Sequence, residues 1–226
     1  MVKRTWLRPP RKDDILFGSV NGSQRNARDW EANAKIRGAD DYPYAEGYHR
    51  AGRILADHVI QQGGTADLLV YPIAFLYRHS VELQFKRLIP IGAFLTDRVL
   101  SKENQAHLSK HDLGQLWAIL EPILRQFGKP NGDVADEDIE GVGSYVRQLN
   151  DYDRASFSFR YESAKDGSPS IDERKLPYIN ISMLAEGMEK LAGWLSGLGE
   201  IFHEMLQHKC EIQDEARADT ENYDGG

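Results

Sequence analysis

Apolar residues recur at every third or fourth position along most of the chain, which is the pattern of a helix with one buried face. The first such segment spans Tyr44 to Gln62 and ends at Gly63-Gly64, a pair that favours helix termination. The second segment begins near Thr65 and runs to Ile89, with Pro90 as the predicted stop. These two segments predict a pair of consecutive helices joined by a tight turn.

The same pattern predicts further helices later in the chain. Asp112 is followed three residues later by Gln115, a spacing typical of a helix N-terminus, and Gly128 is the predicted end of that helix. Aromatic residues alternate with small or charged ones from Ser156 to Tyr161, which indicates a short extended piece. The remaining predicted helices are residues 91–100, 136–150 and 179–207. The fold class is therefore all-α, a bundle of five or six helices with a short extended hairpin.

Both ends of the chain differ in composition from the middle. Residues 1–42 are rich in Arg, Asn, Asp and Gly with little periodicity, which predicts an irregular N-terminal arm. Residues 209–226 are acidic and predict a disordered tail. The helical bundle is predicted to span residues 43–208.

The second predicted helix carries the most informative pattern. Its apolar run from Leu68 to Tyr77 continues directly into a charged stretch. At about 100° per residue, Arg78, Glu82, Lys86 and His79 fall at about 0°, 40°, 80° and 100° around the helix axis. Such a stripe either lines a polar site or forms a ladder of exposed ion pairs worth about 0.2–0.5 kcal/mol each.

Composition narrows the classes of function. A net charge of -7 and a pI near 5.5 argue against a broad surface that coats nucleic acid, so any nucleic-acid contact is expected to be a small basic site. The single cysteine, Cys210, excludes an internal disulfide and fits the cytoplasm. The run from Leu68 to Tyr77 is shorter than the ~20 residues of a membrane span. We therefore expect a cytoplasmic protein that has no membrane segment.

No metal or cofactor site is predicted. The sequence contains no glycine-rich phosphate loop ending in Lys-Ser/Thr, no His-Glu-x-x-His and no Gly-x-Ser-x-Gly. His107 and His111 lie four residues apart, but the residues between them indicate a loop, and only Asp112 offers a nearby carboxylate. A metal-dependent enzyme is therefore not expected.

Five short segments within residues 43–205 are informative through their sequences, their order and their spacing. They are Tyr44-Ala45-Glu46-Gly47-Tyr48, Leu69-Val70-Tyr71-Pro72-Ile73, Tyr77-Arg78-His79-Ser80-Val81-Glu82-Leu83 with Lys86, His111-Asp112-Leu113 with Leu116-Trp117, and Ser156-Phe157-Ser158-Phe159-Arg160-Tyr161. Together they resemble a group of bacterial proteins related to the HEPN domains. The resemblance implies a helical bundle, commonly a homodimer. It also implies either a metal-independent ribonuclease of toxin-antitoxin or antiphage systems, or an inactive RNA-binding or assembly module.

If the chain cleaves RNA, the reaction needs a base that works near neutral pH and a cation that stabilises the phosphorane. The candidate catalytic residues are Arg78, His79, Glu82 and His111, and the candidate substrate-binding residues are Lys86 and Arg160. Either histidine would act as the base, and either arginine would hold phosphate in a bidentate contact. Dimerisation would join two stripes into one basic cleft, and a partner protein from the same operon is expected.

The competing interpretation is a noncatalytic helical module that holds a partner protein, a nucleotide or an RNA end. In that case His111 is a loop residue that precedes an N-cap, and Arg160 ties the hairpin to Asp151 or Asp153. An exposed stripe on the second helix would then be ordinary surface.

Active HEPN ribonucleases carry an arginine that is followed four to six residues later by a histidine, late in the bundle. In this sequence that spacing is matched by Arg53 and His58, which lie in the first predicted helix. Arg78 and His79 are adjacent and form a different arrangement. Arg53 and His58 are interpreted as ordinary helix residues.

Overall fold

The described part of the chain folds into α-helices joined by short connections, except for the irregular segment of residues 153–180 that precedes the last helix. The computed structural model describes residue 34 and residues 41–131 and 134–224. Within these residues the helices are α1 (Asp41–Gln62), α2 (Ala66–Leu95), α3 (Lys102–Leu108), α4 (Leu113–Asn131), α5 (Asp136–Tyr152) and α6 (Ile181–Asp224). The predicted all-α bundle is confirmed. Most of the predicted N-terminal arm, residues 1–42, lies outside the described residues.

Helix α2 lies at the centre of the bundle and packs against α1, α4 and α6. Its side chains Tyr77, Phe85 and Ile89 are fully buried. A helix that is apolar on most sides must be enclosed by others, because burial of each large side chain contributes about 1.5–3 kcal/mol. Among the described residues, no helix combines the length and the apolar content needed to cross a membrane.

The tight turn between α1 and α2 is formed by two glycines. Gly63 and Gly64 have φ angles of 66° and 78°, in the left-handed region that side chains rarely adopt. The predicted end of the first helix is therefore confirmed, and the chain reverses at once into α2.

The predicted stop of the second helix at Pro90 is wrong. Helix α2 continues through Pro90 to Leu95, although a proline inside a helix costs about 3 kcal/mol. The continuation is favoured because Ile89 and Ala93 are buried in the core on either side of the proline. Tertiary packing therefore outweighs the local preference.

The separate helix predicted for residues 91–100 does not form, because its first half belongs to α2. The next helix is α3, which lies in a polar segment where no helix was predicted. Its N-cap is Ser101, whose Oγ accepts a hydrogen bond from the backbone N of Asn104 at 3.1 Å. A good capping residue thus begins the helix at a place where no apolar periodicity indicates one.

Helix α4 begins as predicted and ends later than predicted. Asp112 Oδ1 accepts a hydrogen bond from the backbone N of Gln115 at 3.1 Å, which confirms the predicted N-cap. Gly128 does not end the helix, which continues to Asn131. A Cβ on Gly128 would lie 2.7 Å from the backbone O of Val134, so the glycine permits a close approach of the following chain.

The predicted extended piece from Ser156 to Tyr161 is a turn instead. The backbone N atoms of Arg160 and Tyr161 both donate to the carbonyl O of Phe157. Asp153 directs this geometry, because its Oδ1 accepts from the backbone N of Phe157 at 2.6 Å. The described residues contain no β-strand, and their isolated β-bridge joins Ser163 to Pro169.

The last helix is longer than predicted. Helix α6 does not end near Gln207 but runs to Asp224, through most of the segment 209–226 for which disorder was expected. That segment contains Lys, Glu, Gln, Ala and Arg, which have high helix propensity. Extension of an existing helix also avoids the cost of nucleation, so composition alone was a poor guide.

Two helix glycines provide a matched test of the packing around α2. A Cβ on Gly92 would lie 2.7 Å from Cγ2 of Ile123 and 2.7 Å from Cε2 of Phe202, whereas one on Gly197 meets nothing within 4 Å. We expect Gly92→Ala to lower the free energy of unfolding by about 1–3 kcal/mol, and Gly197→Ala to raise it by about 0.5–1 kcal/mol. Denaturation in urea measures both, and equal effects of the two substitutions would contradict this packing.

Candidate functional site

Three of the candidate side chains meet around the carboxylate of a fourth, Glu82. Arg78, Glu82 and Lys86 are spaced four residues apart on α2 and so share one face of the helix. His111 reaches the same point from the loop that precedes α4. The structure therefore brings together Arg78, Glu82, Lys86 and His111, and we call this set the Glu82 cluster.

Glu82 is the centre of the cluster and has no exposed surface. Its Oε2 accepts from Nη1 of Arg78 at 2.8 Å. Its Oε1 accepts from Nζ of Lys86 at 2.8 Å and lies 2.7 Å from Nδ1 of His111. Burial raises the pKa of Glu82, but hydrogen bonds from Lys86, Arg78 and His111 outweigh it and lower the pKa to about 2. The carboxylate is therefore ionised at neutral pH.

Arg78 is fully buried and is held on several sides. Besides the contact with Glu82, its Nε donates to the carbonyl O of Asp153 at 2.8 Å. Its Nη2 donates to the carbonyl O atoms of His111 and Arg154. The guanidinium of Arg78 has no exposed surface and already has these partners, so it cannot also bind a phosphate. Arg78 therefore positions the loop that carries His111 and the turn after α5.

His111 is the side chain of the cluster that faces outward, with 52% of its side chain exposed. Because the Glu82 carboxylate is ionised and only accepts hydrogen bonds, Nδ1 of His111 carries the proton between them. None of the described residues forms a hydrogen bond with Nε2 of His111. Nε2 is therefore the atom that can exchange a proton with a bound molecule.

Two residues that sequence reasoning did not place in the site complete it. Asp153 is fully buried, and its Oδ2 lies 3.5 Å from Nε of Arg78. Arg154 is largely exposed, and its Nε contacts Oδ2 of Asp112 at 2.9 Å. The available sequence signal was an Asp-Arg pair three residues after the predicted helix end at residue 150. It indicates a capped turn but does not identify Arg78 as the partner.

His79 lies beside the cluster without joining it. Its ring makes an edge contact with Tyr48 at 4.5 Å between centroids and stacks on Phe75 at 5.5 Å. Burial lowers the pKa of His79, and its buried Nδ1 has no hydrogen-bond partner among the described residues. His79 is therefore a neutral ring packed between aromatic residues and not a partner of Glu82.

Arg160 lies on another side of Phe75. Its guanidinium carbon lies 5.5 Å from the ring centroid of Phe75 and 5.5 Å from that of Tyr161. Its Nε donates to the carbonyl O of Ser156. The competing interpretation had expected a contact with Asp151 or Asp153 instead. Arg160 therefore extends a row of stacked rings away from the Glu82 cluster.

Arg53 and His58 do not form a site with each other. Nη1 of Arg53 contacts Oε2 of Glu189 on α6 at 2.5 Å, and the same carboxylate contacts Nε2 of His49 at 2.9 Å. His58 is exposed on α1. The side chain of Arg53 thus links α1 to α6, which agrees with its interpretation as an ordinary helix residue.

The Glu82 cluster can transfer a proton and can attract an anion. A buried carboxylate that holds an exposed imidazole through Nδ1 leaves the other ring nitrogen available for proton transfer, as in other carboxylate-histidine pairs. Lys86 lies on the same carboxylate oxygen and is partly exposed. The described residues contain no group of three or more His, Cys, Asp or Glu side chains suited to a metal ion. The surrounding cations also disfavour a metal cation here.

Substitution of Arg78 tests whether it holds the site together. We expect Arg78→Met to lower the free energy of unfolding by about 3–5 kcal/mol, because it leaves buried carbonyls and a buried carboxylate short of a partner. The exposed Arg154 offers a control, and Arg154→Met should cost less than about 1 kcal/mol. Denaturation in guanidinium chloride measures both. A mild effect of Arg78→Met would mean that the buried network contributes little.

The pKa of Glu82 leads to an expected acid sensitivity. A carboxyl whose folded pKa is about 2 rather than 4.5 stabilises the fold above pH 4.5 and loses that effect as pH falls toward 2. This group alone should remove on the order of 3 kcal/mol from the free energy of unfolding across that range. Glu82→Gln should flatten the pH dependence there, and the exposed Glu211→Gln should not. Urea denaturation at a series of pH values measures the slopes, and identical slopes would refute the assignment.

Comparison with known proteins found no match, because no protein-family model, curated protein or solved structure matches the chain. The assignment of the site therefore rests on its own contacts.

Proposed function

We propose that the chain is a HEPN-like RNA endonuclease that needs no metal ion, with the Glu82 cluster as its active site. The observation that carries the proposal is the exposed ring of His111, whose Nδ1 lies 2.7 Å from the buried Glu82. A second support is the order of short segments in residues 43–205 that resembles HEPN-related proteins.

The proposed reaction is an internal transfer at the RNA phosphate. Nε2 of His111 takes the proton of a 2'-hydroxyl, whose oxygen then forms a bond to the adjacent phosphorus. The bond from phosphorus to the 5' oxygen breaks, and that oxygen takes a proton from solvent. The products are a 2',3'-cyclic phosphate and a 5'-hydroxyl, and His111 returns its proton to solvent. The ammonium group of Lys86 stabilises the charge on the phosphorane.

The residues of the cluster divide the work in this proposal. His111 is the catalytic residue, and Lys86 binds the phosphate. Glu82 and Arg78 are positioning residues, because both are fully buried and act through His111. His79 is too enclosed and too weakly basic to share the role of base, so the proposal assigns it to the aromatic surface beside the site.

The HEPN resemblance also supports a setting for this activity. We infer a homo-oligomer, most simply a homodimer, in which two Glu82 clusters form one cleft. The expected role is bacterial defence or a toxin-antitoxin response, with a partner protein from the same operon. These proposals rest on the resemblance alone.

The second candidate function is a noncatalytic module that holds RNA or a partner protein. It is favoured by the contact of Lys86 Nζ with Glu82 at 2.8 Å, since an ammonium already paired with a carboxylate attracts phosphate less strongly. It is also favoured by the burial of Arg78, which removes one of the two expected phosphate-binding groups.

Cleavage assays separate the two candidates. Full-length protein with EDTA should cut a fluorescent single-stranded RNA, and His111→Gln should slow the reaction by about 10²–10⁴-fold because it removes the base. The exposed His208→Gln serves as the matched control and should cut at the original rate. RNA that stays intact with the original protein favours the module.

A further variant tests the alternative location of the active site. If His58→Gln abolishes cleavage while His111→Gln does not, the active site lies at Arg53 and His58 on α1. That result would contradict the assignment to the Glu82 cluster.

A further inference from the structure

A second surface lies along α2 from the Glu82 cluster. The first turns of α2 and the irregular segment before α6 enclose a groove of about 1040 Å³. We propose that this groove binds an unpaired nucleobase of the RNA that is cleaved at His111, a proposal that rests on the proposed function. We call it the aromatic groove, and the lining residues that carry the inference are Asp67, Tyr71, Arg160, Tyr161, Glu173 and Tyr178.

The groove presents aromatic rings to solvent. Tyr71, Tyr161 and Tyr178 are 49%, 53% and 90% exposed, respectively. Stacking of a base on an aromatic side chain is worth about 1–3 kcal/mol and tolerates any sequence, because every base has a π face. Single-stranded RNA offers unstacked bases for this contact, whereas a paired duplex hides them.

The charge of the groove selects the base rather than the phosphate. Asp67, Glu162 and Glu173 line the groove, and Arg160 is the cation among its lining residues. The carboxylates repel phosphate, so a neutral base is the part of a nucleotide that enters. The carboxylates can also accept hydrogen bonds from an exocyclic amino group, as acidic side chains accept from N4 of cytosine. Adenine and cytosine are therefore preferred over uracil, which has no such group.

The groove is connected to the Glu82 cluster along one face of α2. Tyr71, Phe75, His79, Glu82 and Lys86 follow each other at spacings of three or four residues. With a rise of 1.5 Å per residue, this row is about 22 Å long from Tyr71 to Lys86. Within this row Phe75 stacks on His79 and contacts Arg160, which also lines the groove. An RNA strand that reaches both sites would place a base in the groove a few nucleotides from the phosphate at His111.

Binding of short RNAs to the cleavage-deficient His111→Gln protein tests this inference. Fluorescence anisotropy with labelled oligo(A), oligo(C) and oligo(U) gives Kd values for uncleaved RNA. We expect Tyr161→Ala and Tyr71→Ala to raise Kd for oligo(A) about 5- to 150-fold each, the equivalent of one lost stacking contact. Tyr44 is also exposed but does not line the groove, so Tyr44→Ala should leave Kd unchanged.

The outcomes distinguish this inference from the proposed function. If His111 is needed for cleavage but the groove variants bind RNA like the control, the groove inference is overturned and the function stands. If the groove variants lose binding while the original protein cuts no RNA, the groove binds bases and the nuclease proposal fails. If no oligonucleotide binds, or oligo(U) binds best, the inference is overturned. If no oligonucleotide binds, a protein segment is the next candidate to test as the ligand of the aromatic groove.

Discussion

The structure depends on the pairing of the buried Glu82 carboxylate. An ionised carboxylate without exposed surface is stable only when it is paired, because its transfer from water costs several kcal/mol. Glu82 meets this requirement with two cations from its own helix and an imidazole from a neighbouring loop. Arg78 then extends the pairing to the turn after α5 through Asp153. One charge thus organises α2, the start of α4 and the irregular segment before α6.

In this arrangement, the residues that stabilise the fold and the residues that can meet a bound molecule are different members of the same small cluster. The inner half of the cluster, Arg78 and Glu82, is fully enclosed and fixes the geometry. The outer half, His111 and Lys86, reaches solvent, where it can meet a substrate. The chain has a net charge of -7, so the cations of this cluster lie on a protein of overall negative charge. Under the proposed function, the outer half of the cluster would contact one phosphate group and the aromatic groove would contact one base of the same strand.

The sequence predicted the parts of the fold that follow from local periodicity. The arc of Arg78, Glu82 and Lys86 was readable because helix geometry fixes which side chains share a face. The long-range contacts were not readable. Nothing in the sequence near Asp153 identifies Arg78 as its partner. The spacing of His79 on the helix also does not show that its ring packs against Tyr48 instead of contacting Glu82. The predicted helix stop at Pro90 and the predicted disorder at the acidic end of α6 were wrong for a related reason. Core packing outweighed the local preference at Pro90, and extension of an existing helix outweighed it at the end of α6.

The protonation state of His111 tests the central claim most directly. Nitrogen-15 NMR of the imidazole at neutral pH distinguishes a ring protonated at Nδ1 from one protonated at Nε2. If Glu82 is ionised and holds this ring, the neutral form carries its proton on Nδ1, and Glu82→Gln shifts the balance toward Nε2. A ring that is protonated at Nε2 in the original protein and is unaffected by Glu82→Gln would contradict the account.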